Sequence, residues 1–121
     1  RVAETMMYAY QAQGNVDVRV ARIFSTFGPR MNLADGRVIS NFILQALQGR
    51  DITVYGNGSH TRSFQFVDDL VDGLLALMES DYDRPVNLGN PHEYTIETLA
   101  QLVRSLTESK SAISYLPVCG P

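Results

Sequence analysis

A glycine turn followed by an arginine is the part of this sequence whose residue types best suit ligand chemistry. It lies within residues 53–69, where Gly56-Asn57-Gly58 precedes Arg62 and aromatic residues flank the arginine. Glycines let backbone approach a ligand closely, and a guanidinium offers a fixed fork of donors that suits phosphate. Spacing alone leaves two interpretations open, a phosphate-binding segment or a β-hairpin with a surface arginine, and by itself it favours the hairpin.

Patterns typical of several other chemistries are absent from the sequence. No Gly-x-Gly-x-x-Gly dinucleotide loop occurs, because Thr61 stands where the third glycine would be required. The two histidines, His60 and His92, are far apart and Cys119 is the only cysteine, so no metal-ligand spacing is present. No Gly-x-Ser-x-Gly nucleophile elbow occurs either. We interpret both histidines as surface loop residues and Cys119 as an incidental thiol near the end of the chain.

The composition indicates one modest globular domain. The chain has 121 residues, of which 45% are hydrophobic and 19% are charged, which is ordinary for such a domain. The net charge of -3 provides no basic surface for nucleic acid. The apolar stretches are much shorter than the ~18 residues that a membrane span requires. We therefore expect neither nucleic-acid binding nor membrane contact from this segment.

Hydrophobic periodicity predicts an α/β chain with the order αβαββαβαβ. We expect helices over residues 1–13, 37–48, 68–79 and 95–107, and strands over residues 16–23, 52–55, 61–67, 85–88 and 113–116. The pattern also predicts that Thr95 caps the last helix and that Asp68 or Asp69 caps the third. The strand over residues 16–23 is mostly apolar and β-branched, which is typical of a parallel strand buried on both faces.

Three of the predicted helices each have an apolar face that we expect to be buried. These faces consist of Val38, Ile39, Phe42, Ile43, Ala46 and Leu47 in the second helix, of Leu70, Val71, Leu74, Leu75, Leu77 and Met78 in the third, and of Ile96, Leu99, Ala100, Val103 and Leu106 in the fourth.

Several motifs together carry a family resemblance that covers about residues 1–116. They are Arg-Val-Ala-Glu-Thr-Met at residues 1–6, Ala-Arg-Ile-Phe-Ser-Thr-Phe-Gly-Pro-Arg-Met at 21–31, Asp-Gly-Arg-Val-Ile-Ser-Asn-Phe-Ile at 35–43, the segment 53–69, and Pro-Val-Asn-Leu-Gly-Asn-Pro at 85–91. With these motifs the chain closely resembles the UDP-glucuronate decarboxylases, or UDP-xylose synthases. These are nucleotide-sugar enzymes of the extended short-chain dehydrogenase/reductase family.

The resemblance implies part of a Rossmann-like extended short-chain dehydrogenase fold, with the last sheet strands and helices and the small substrate-binding region. Residues 1–121 would form a single partial domain. Residues 1–30 would end the NAD-binding sheet region, and residues 31–121 would mainly bind the nucleotide sugar and return one strand to the sheet. The sequence would then be the C-terminal part of a larger enzyme.

The resemblance also implies a chemistry, in which bound NAD takes a hydride from C4 of the glucuronate. The resulting 4-keto acid loses CO2, and return of the hydride gives UDP-xylose. The family's catalytic Tyr-x-x-x-Lys pair would lie upstream of Arg1, and none of the six tyrosines here has a lysine four residues later. No catalytic residue is therefore assigned, and we expect the 121-residue chain alone to be inactive.

The resemblance implies ligand roles for six residues. Thr26 and Arg37 would contact the NAD cofactor, and Arg37 could meet a phosphate or carboxylate at the start of a helix. The nucleotide-sugar pocket would be shaped by Tyr10, Asn41, Tyr55 and Arg62, with Arg62 pairing to the UDP phosphates. Tyr10 and Tyr55 could equally be packing residues.

One position departs from the family pattern, and some properties stay open. Ser25 stands where the resembling proteins usually have asparagine, so any ligand contact there loses the amide's paired donor and acceptor. The resemblance implies a homodimer in the full-length protein. It implies the Golgi lumen for an animal-like protein and otherwise the cytoplasm. The alternatives are another nucleotide-sugar dehydratase or epimerase of the same superfamily, and a non-catalytic nucleotide-binding or interaction module.

Overall fold

The computed structural model of the chain describes residues 2–14 and 16–118. Four helices lie within them: α1 (Val2–Ala12), α2 (Val38–Leu47), α3 (Val67–Glu79) and α4 (Ile96–Leu106). Six strands lie between these helices and a seventh follows α4: β1 (Ala21–Ile23), β2 (Ser25–Phe27), β3 (Ile52–Tyr55), β4 (Thr61–Phe66), β5 (Val86–Leu88), β6 (Glu93–Thr95) and β7 (Ile113–Leu116). The α/β prediction is confirmed. Cys119, predicted to be a tail thiol, lies outside the described residues.

The observed order, αββαββαββαβ, contains two short strands that the sequence did not predict. Both pair with β4. The strand β2 runs parallel to it, with Ser25 opposite Phe64, and β6 runs antiparallel to it, with Thr95 opposite Thr61. Three residues are too few to show a strand period, so these strands arise only because β4 supplies their hydrogen-bond partners.

The predicted strand over residues 16–23 is largely wrong. Only Ala21–Ile23 is a strand, paired parallel to β5, and the Val86 amide extends that pairing by donating to the Val20 carbonyl at 2.9 Å. The expected burial on both faces is wrong as well, since Val18 is buried but Ile23 is exposed. The reason is that β1 has a single strand neighbour among the described residues, so most of the segment has nothing to pair with.

Three small sheets result: β1–β5, β2–β4–β6 and β3–β7. Every pairing is parallel except β4 with β6. The hairpin interpretation of residues 53–69 is therefore wrong, because β3 and β4 are consecutive in the chain but lie in different sheets. The division of function between residues 1–30 and 31–121 stays a prediction. The parallel partner of β1 is β5, from the second of those ranges.

The core lies where α2 and α4 pack on β3. It consists of Ile39, Phe42, Ala46, Ile52, Val54, Phe64, Leu99, Ala100 and Val103. Ile52 and Val54 are fully buried, as expected of a strand covered by two helices. Burying one such side chain contributes about 1.5–3 kcal/mol relative to leaving it in water. This packing fixes the positions of α2, β3 and β4.

Of the two helix caps predicted from the sequence, the structure contains the one of α4 and lacks the one of α3. The Thr95 hydroxyl oxygen accepts the Thr98 amide at 3.0 Å, which confirms Thr95 as the cap of α4. The cap predicted for α3 is wrong, because Phe66 is the N-cap and makes no side-chain cap bond. The strand β4 runs directly into α3, so Asp68 and Asp69 lie in the first turn, where their charges favour the helix dipole.

The predicted apolar faces are only partly buried. Ile39, Phe42 and Ala46 of α2, and Leu99, Ala100 and Val103 of α4, are buried as expected, but Leu47 and Leu106 are exposed. In α3 only Leu77 is buried, while Val71, Leu74, Leu75 and Met78 are exposed. No residue of α1 is buried either. Helical periodicity marks an apolar face, but the described residues provide no element that covers these faces.

Candidate functional site

A cavity of about 640 Å³ lies between the start of α2 and the strands β2, β3 and β4. Its lining residues are Ser25, Thr26, Met31, Gly36, Arg37, Val38, Ile39, Asn41, Phe42, Gln45, Thr53, Tyr55, His60, Arg62, Phe64 and Ile96. No aspartate or glutamate is among them, whereas two arginines and one histidine are. The charged groups of the lining therefore favour an anionic ligand.

The structure brings five of the six predicted ligand residues to this one cavity. Thr26, Arg37, Asn41, Tyr55 and Arg62 all line it. Residues that the resemblance assigned to cofactor and to substrate thus share a single surface, although they come from four different elements. Their roles in binding stay predictions.

Tyr10 is the predicted residue that the structure does not bring to the cavity. It lies on α1, its side chain is 56% exposed, and it is not among the lining residues. A bidentate ion pair joins this helix to β1, with the Arg22 Nε and Nη2 atoms each 2.7 Å from a carboxylate oxygen of Glu4. The predicted substrate role of Tyr10 has no support from this geometry.

The glycine turn delivers Arg62 to the cavity. Gly56 and Gly58 have φ angles of 74° and 72°, in the left-handed region that glycine adopts without strain. A Cβ at Gly58 would lie 3.0 Å from the Glu97 Cβ, so the turn also packs closely on the start of α4. The Asn57 side-chain oxygen accepts the Ser59 amide at 3.1 Å and fixes the turn locally.

Arg62 is exposed to the cavity and carries an unneutralised charge. Among residues 2–14 and 16–118, its guanidinium makes no hydrogen bond and no ion pair. It lies on β4 opposite Tyr94 of β6, and this pairing holds its backbone in place. An unpaired guanidinium on a strand is suited to bind a phosphate in bidentate geometry.

Arg37 is held differently, by a carboxylate two residues before it. The Asp35 Oδ1 atom accepts the Arg37 amide at 3.0 Å and the buried Ser40 hydroxyl at 2.5 Å. The Asp35 Oδ2 atom lies 3.3 Å from the Arg37 Nε. The Ser40 hydroxyl first, and then the Arg37 amide, lower the pKa of the Asp35 carboxyl below its usual range. Asn41 fixes the same loop, since its side-chain amide donates to the Gly36 carbonyl at 3.2 Å.

Thr26 is already engaged in hydrogen bonds. Its hydroxyl donates to the Phe24 carbonyl at 3.0 Å and accepts from the Gln65 side-chain amide at 3.1 Å. Gln65 is buried and also donates to the Leu88 carbonyl at 3.0 Å. One hydroxyl lone pair remains on Thr26 for a ligand donor. Because Gln65 links β4, β2 and β5, it sets where that hydroxyl lies.

Sequence reasoning missed several lining residues, of which Gln45 and Thr53 are the most informative. The Gln45 Nε2 donates to the Thr53 hydroxyl at 2.8 Å, and the Thr53 amide donates to the Gln45 Oε1 at 3.0 Å. No motif marks this pair. The only signal in the sequence was that Gln45 is polar and lies between apolar residues of α2. The His60 interpretation as a loop residue holds, but the structure also places it on the cavity lining.

The residues present fit the phosphate-bearing ligands that the sequence implied, including one end of a dinucleotide. Thr26 offers a hydroxyl lone pair and Arg37 offers terminal guanidinium nitrogens. Within the described ranges, no group of three or more metal-ligating residues occurs, and no helix is long and apolar enough to cross a membrane. Lys110, the only lysine, is exposed and does not line the cavity.

Two relatives match nearly all of this chain in sequence. The chain is 65% identical to UDP-glucuronic acid decarboxylase 1 of Danio rerio and 51% identical to UDP-glucuronic acid decarboxylase 1 of Arabidopsis thaliana. Each match covers 97% of this chain but only 28% and 27% of the relative, so the chain spans less than a third of these proteins.

Solved structures share the fold. One of them is a UDP-N-acetylglucosamine 4-epimerase from Methanobrevibacter ruminantium in complex with UDP-N-acetylmuramic acid. It matches with a TM-score of 0.90 and 27% identity, over 96% of this chain and 38% of that one. This likeness identifies the three small sheets as part of a Rossmann-like epimerase fold. The model of the NAD dependent epimerase/dehydratase family matches residues 1–89, and the chain therefore belongs to that family.

Proposed function

We propose that this chain is the nucleotide-sugar-binding part of an NAD-dependent UDP-glucuronate decarboxylase that forms UDP-xylose and CO2. The observation that carries the proposal is the cavity, which gathers Arg37, Asn41, Tyr55 and Arg62 and has no lining carboxylate. Such a lining suits a sugar nucleotide with a diphosphate and a uronate carboxylate. The identity of the sugar rests on the two decarboxylase relatives.

In this proposal each lining residue has a defined task. Arg62 pairs with the diphosphate, because its guanidinium is unneutralised and held on a central strand. Asn41 and Tyr55 supply further hydrogen-bonding groups to the same cavity. Thr26 and Arg37 contact the NAD cofactor, which when bound supplies hydride acceptance and return. Arg37 lines the same cavity as Arg62 and also meets an anionic group of the sugar nucleotide. The buried Phe42 and Phe64 form an apolar wall that excludes water from the polar contacts.

The chemistry of the sugar explains why binding and orientation are the main tasks of this part. A uronic acid oxidised at C4 is a β-keto acid, and it loses CO2 readily because the adjacent ketone stabilises the developing carbanion. The surrounding residues must fix the sugar and keep its charged groups in place. This chain contains no Tyr-x-x-x-Lys pair, so we expect no turnover from it alone.

A chimera tests the proposed activity. The segment of the Danio rerio relative that matches this chain is replaced by residues 1–117, and the product from UDP-glucuronate and NAD is identified by mass and NMR. We expect CO2 and UDP-xylose. A 4-epimer as the product would instead support the epimerase alternative. A folded, NAD-binding chimera without any product would contradict the proposal.

Titration of the 121-residue chain with UDP tests the non-catalytic alternatives. Saturable binding that is lost in Arg62→Ala supports a nucleotide site on this part of the protein. Saturable binding together with a chimera that makes no product would favour a nucleotide-binding module. The absence of UDP binding, with an active chimera, would place the nucleotide contacts elsewhere.

We also propose that the full-length protein is a homodimer that uses α1. Four large apolar side chains on this helix are exposed, namely Val2, Met6, Met7 and Tyr10. Contact with a second copy would cover them. Sedimentation of the chimera and of its Met6→Glu variant tests this, because the variant should shift toward monomer. An unchanged dimer would contradict the use of α1.

A further inference from the structure

The loop before α2 contains a carboxylate, that of Asp35, which contacts both Arg37 and Ser40. Asp35 binds the Arg37 amide and the Ser40 hydroxyl through Oδ1, and it lies 3.3 Å from the Arg37 Nε through Oδ2. Its side chain is 22% exposed, whereas that of Arg37 is 66% exposed. The carboxylate is thus largely withdrawn from solvent while the guanidinium reaches into the cavity region.

The ion pair with Asp35 leaves the two terminal nitrogens of the Arg37 guanidinium available to a ligand. Asp35 contacts the Nε atom, and within the described ranges neither terminal nitrogen of Arg37 makes a hydrogen bond. Both terminal nitrogens therefore keep their donors for a ligand. An arginine with a carboxylate 3.3 Å from its Nε samples fewer orientations before any ligand binds, so less entropy is lost on binding.

The anchor of the carboxylate is itself rigid. Ser40 is buried in the first turn of α2, beside the core residues Ile39 and Phe42. The backbone amide of Arg37 is fixed by the same Oδ1 atom. Asp35 thus contacts the buried Ser40, the backbone amide at the start of α2 and the Arg37 guanidinium.

We propose that Asp35 is a positioning residue, which orients Arg37 so that its terminal nitrogens meet an anionic oxygen of the nucleotide in the cavity. The inference rests on the proposed function, because it requires that the cavity binds a nucleotide. Asp35 does not line the cavity and acts only through Arg37. A purely structural role would lower stability without coupling to the arginine.

Binding of UDP to the full chain and to Asp35→Asn, Arg37→Ala and the double variant tests the proposal. We expect Asp35→Asn to weaken UDP binding about three- to fivefold, as loss of a partly exposed ion pair would. In the Arg37→Ala background the same change should have no further effect. The matched control is Asp51→Asn, which removes the same charge from an exposed carboxylate whose only side-chain hydrogen bond among the described residues is with Ser114. It should leave UDP binding unchanged.

Circular dichroism should show that the wild-type chain, Asp35→Asn and Arg37→Ala are all folded, so that a change in UDP binding reports on the site. Two results would overturn the positioning role alone. One is that Asp35→Asn binds UDP as tightly as wild type or more tightly. The other is that Asp35→Asn weakens UDP binding as much in the Arg37→Ala background as in wild type. Failure of the wild-type chain and of Asp51→Asn to bind UDP would overturn the proposed nucleotide site as well, whereas the proposed activity is tested separately by the chimera.

Discussion

Gln45 and Thr53 form a reciprocal pair of hydrogen bonds that fastens the middle of α2 to β3 along the wall of the cavity. The two bonds measure 2.8 and 3.0 Å, and one of them satisfies the backbone amide of Thr53. This amide faces away from β7, the strand neighbour of β3, so a side chain replaces a missing strand partner.

Loss of the Gln45 side chain should therefore destabilise the chain. Gln45→Ala leaves the Thr53 amide without its acceptor, and we expect the free energy of unfolding to fall by about 1–2 kcal/mol. Urea denaturation measures this. Gln48→Ala, which changes an exposed glutamine at the end of the same helix, should change stability by less than about 0.5 kcal/mol. Equal effects of the two variants would contradict the role of the pair.

Arg62 should dominate nucleotide affinity. Arg62→Ala removes a charge-assisted bond worth about 1.5–3 kcal/mol, so the Kd for UDP should rise about ten- to a hundredfold. Arg50→Ala removes the same charge from an exposed arginine that does not line the cavity, and it should leave the Kd unchanged. Titration calorimetry measures both. If Arg50→Ala weakened UDP binding as much, the affinity would come from net charge and not from this site.

Gly89 should not tolerate a side chain. A Cβ at this position would lie 2.3 Å from the Phe24 ring and 2.6 Å from its Cβ, so β1 and β5 could not keep their present spacing. We expect Gly89→Ala to cost about 1–3 kcal/mol through overpacking. In the Phe24→Ala background, Gly89→Ala should cost much less, because the clashing ring is gone. Thermal unfolding of the four chains would show this coupling, and additive effects would refute it.

Thr95 should contribute a measurable cap. Thr95→Ala removes the acceptor of the Thr98 amide and should cost about 1 kcal/mol, whereas Thr95→Ser should retain most of the stability. Urea denaturation of the two variants provides the measurement. A serine variant as unstable as the alanine variant would mean that the methyl group, and not the hydroxyl, matters.

The stability of the chain should fall in acid partly through Asp35. The pKa of its carboxyl is lowered in the folded chain, chiefly by the Ser40 hydroxyl, from its ordinary value of 3.8. A lowered pKa means that the ionised form stabilises the fold above pH ~3.8 and that this contribution is lost as the pH falls through the folded value. Unfolding followed between pH 7 and pH 2 should therefore show a smaller acid-induced loss in Asp35→Asn than in wild type. Parallel curves would contradict this.

The sequence predicted the elements that carry a strong local signal. The helix from Val38 to Leu47, the strand from Ile52 to Tyr55 and the cap at Thr95 each depend on residues a few positions apart. The sequence did not predict β2 or β6. These strands of three residues exist only through pairing with β4, from a distant part of the chain.

The site divides in the same way. The residue types made Arg62 a possible phosphate ligand, and the family resemblance implied ligand roles for both Arg37 and Arg62. Only the tertiary structure decided that they share one cavity, that Tyr10 lies outside it, and that Asp35 holds one arginine while the other has no partner among the described residues. The physical reason is range: local chemistry and periodicity are fixed by neighbours in sequence, whereas a cavity depends on which distant surfaces pack together.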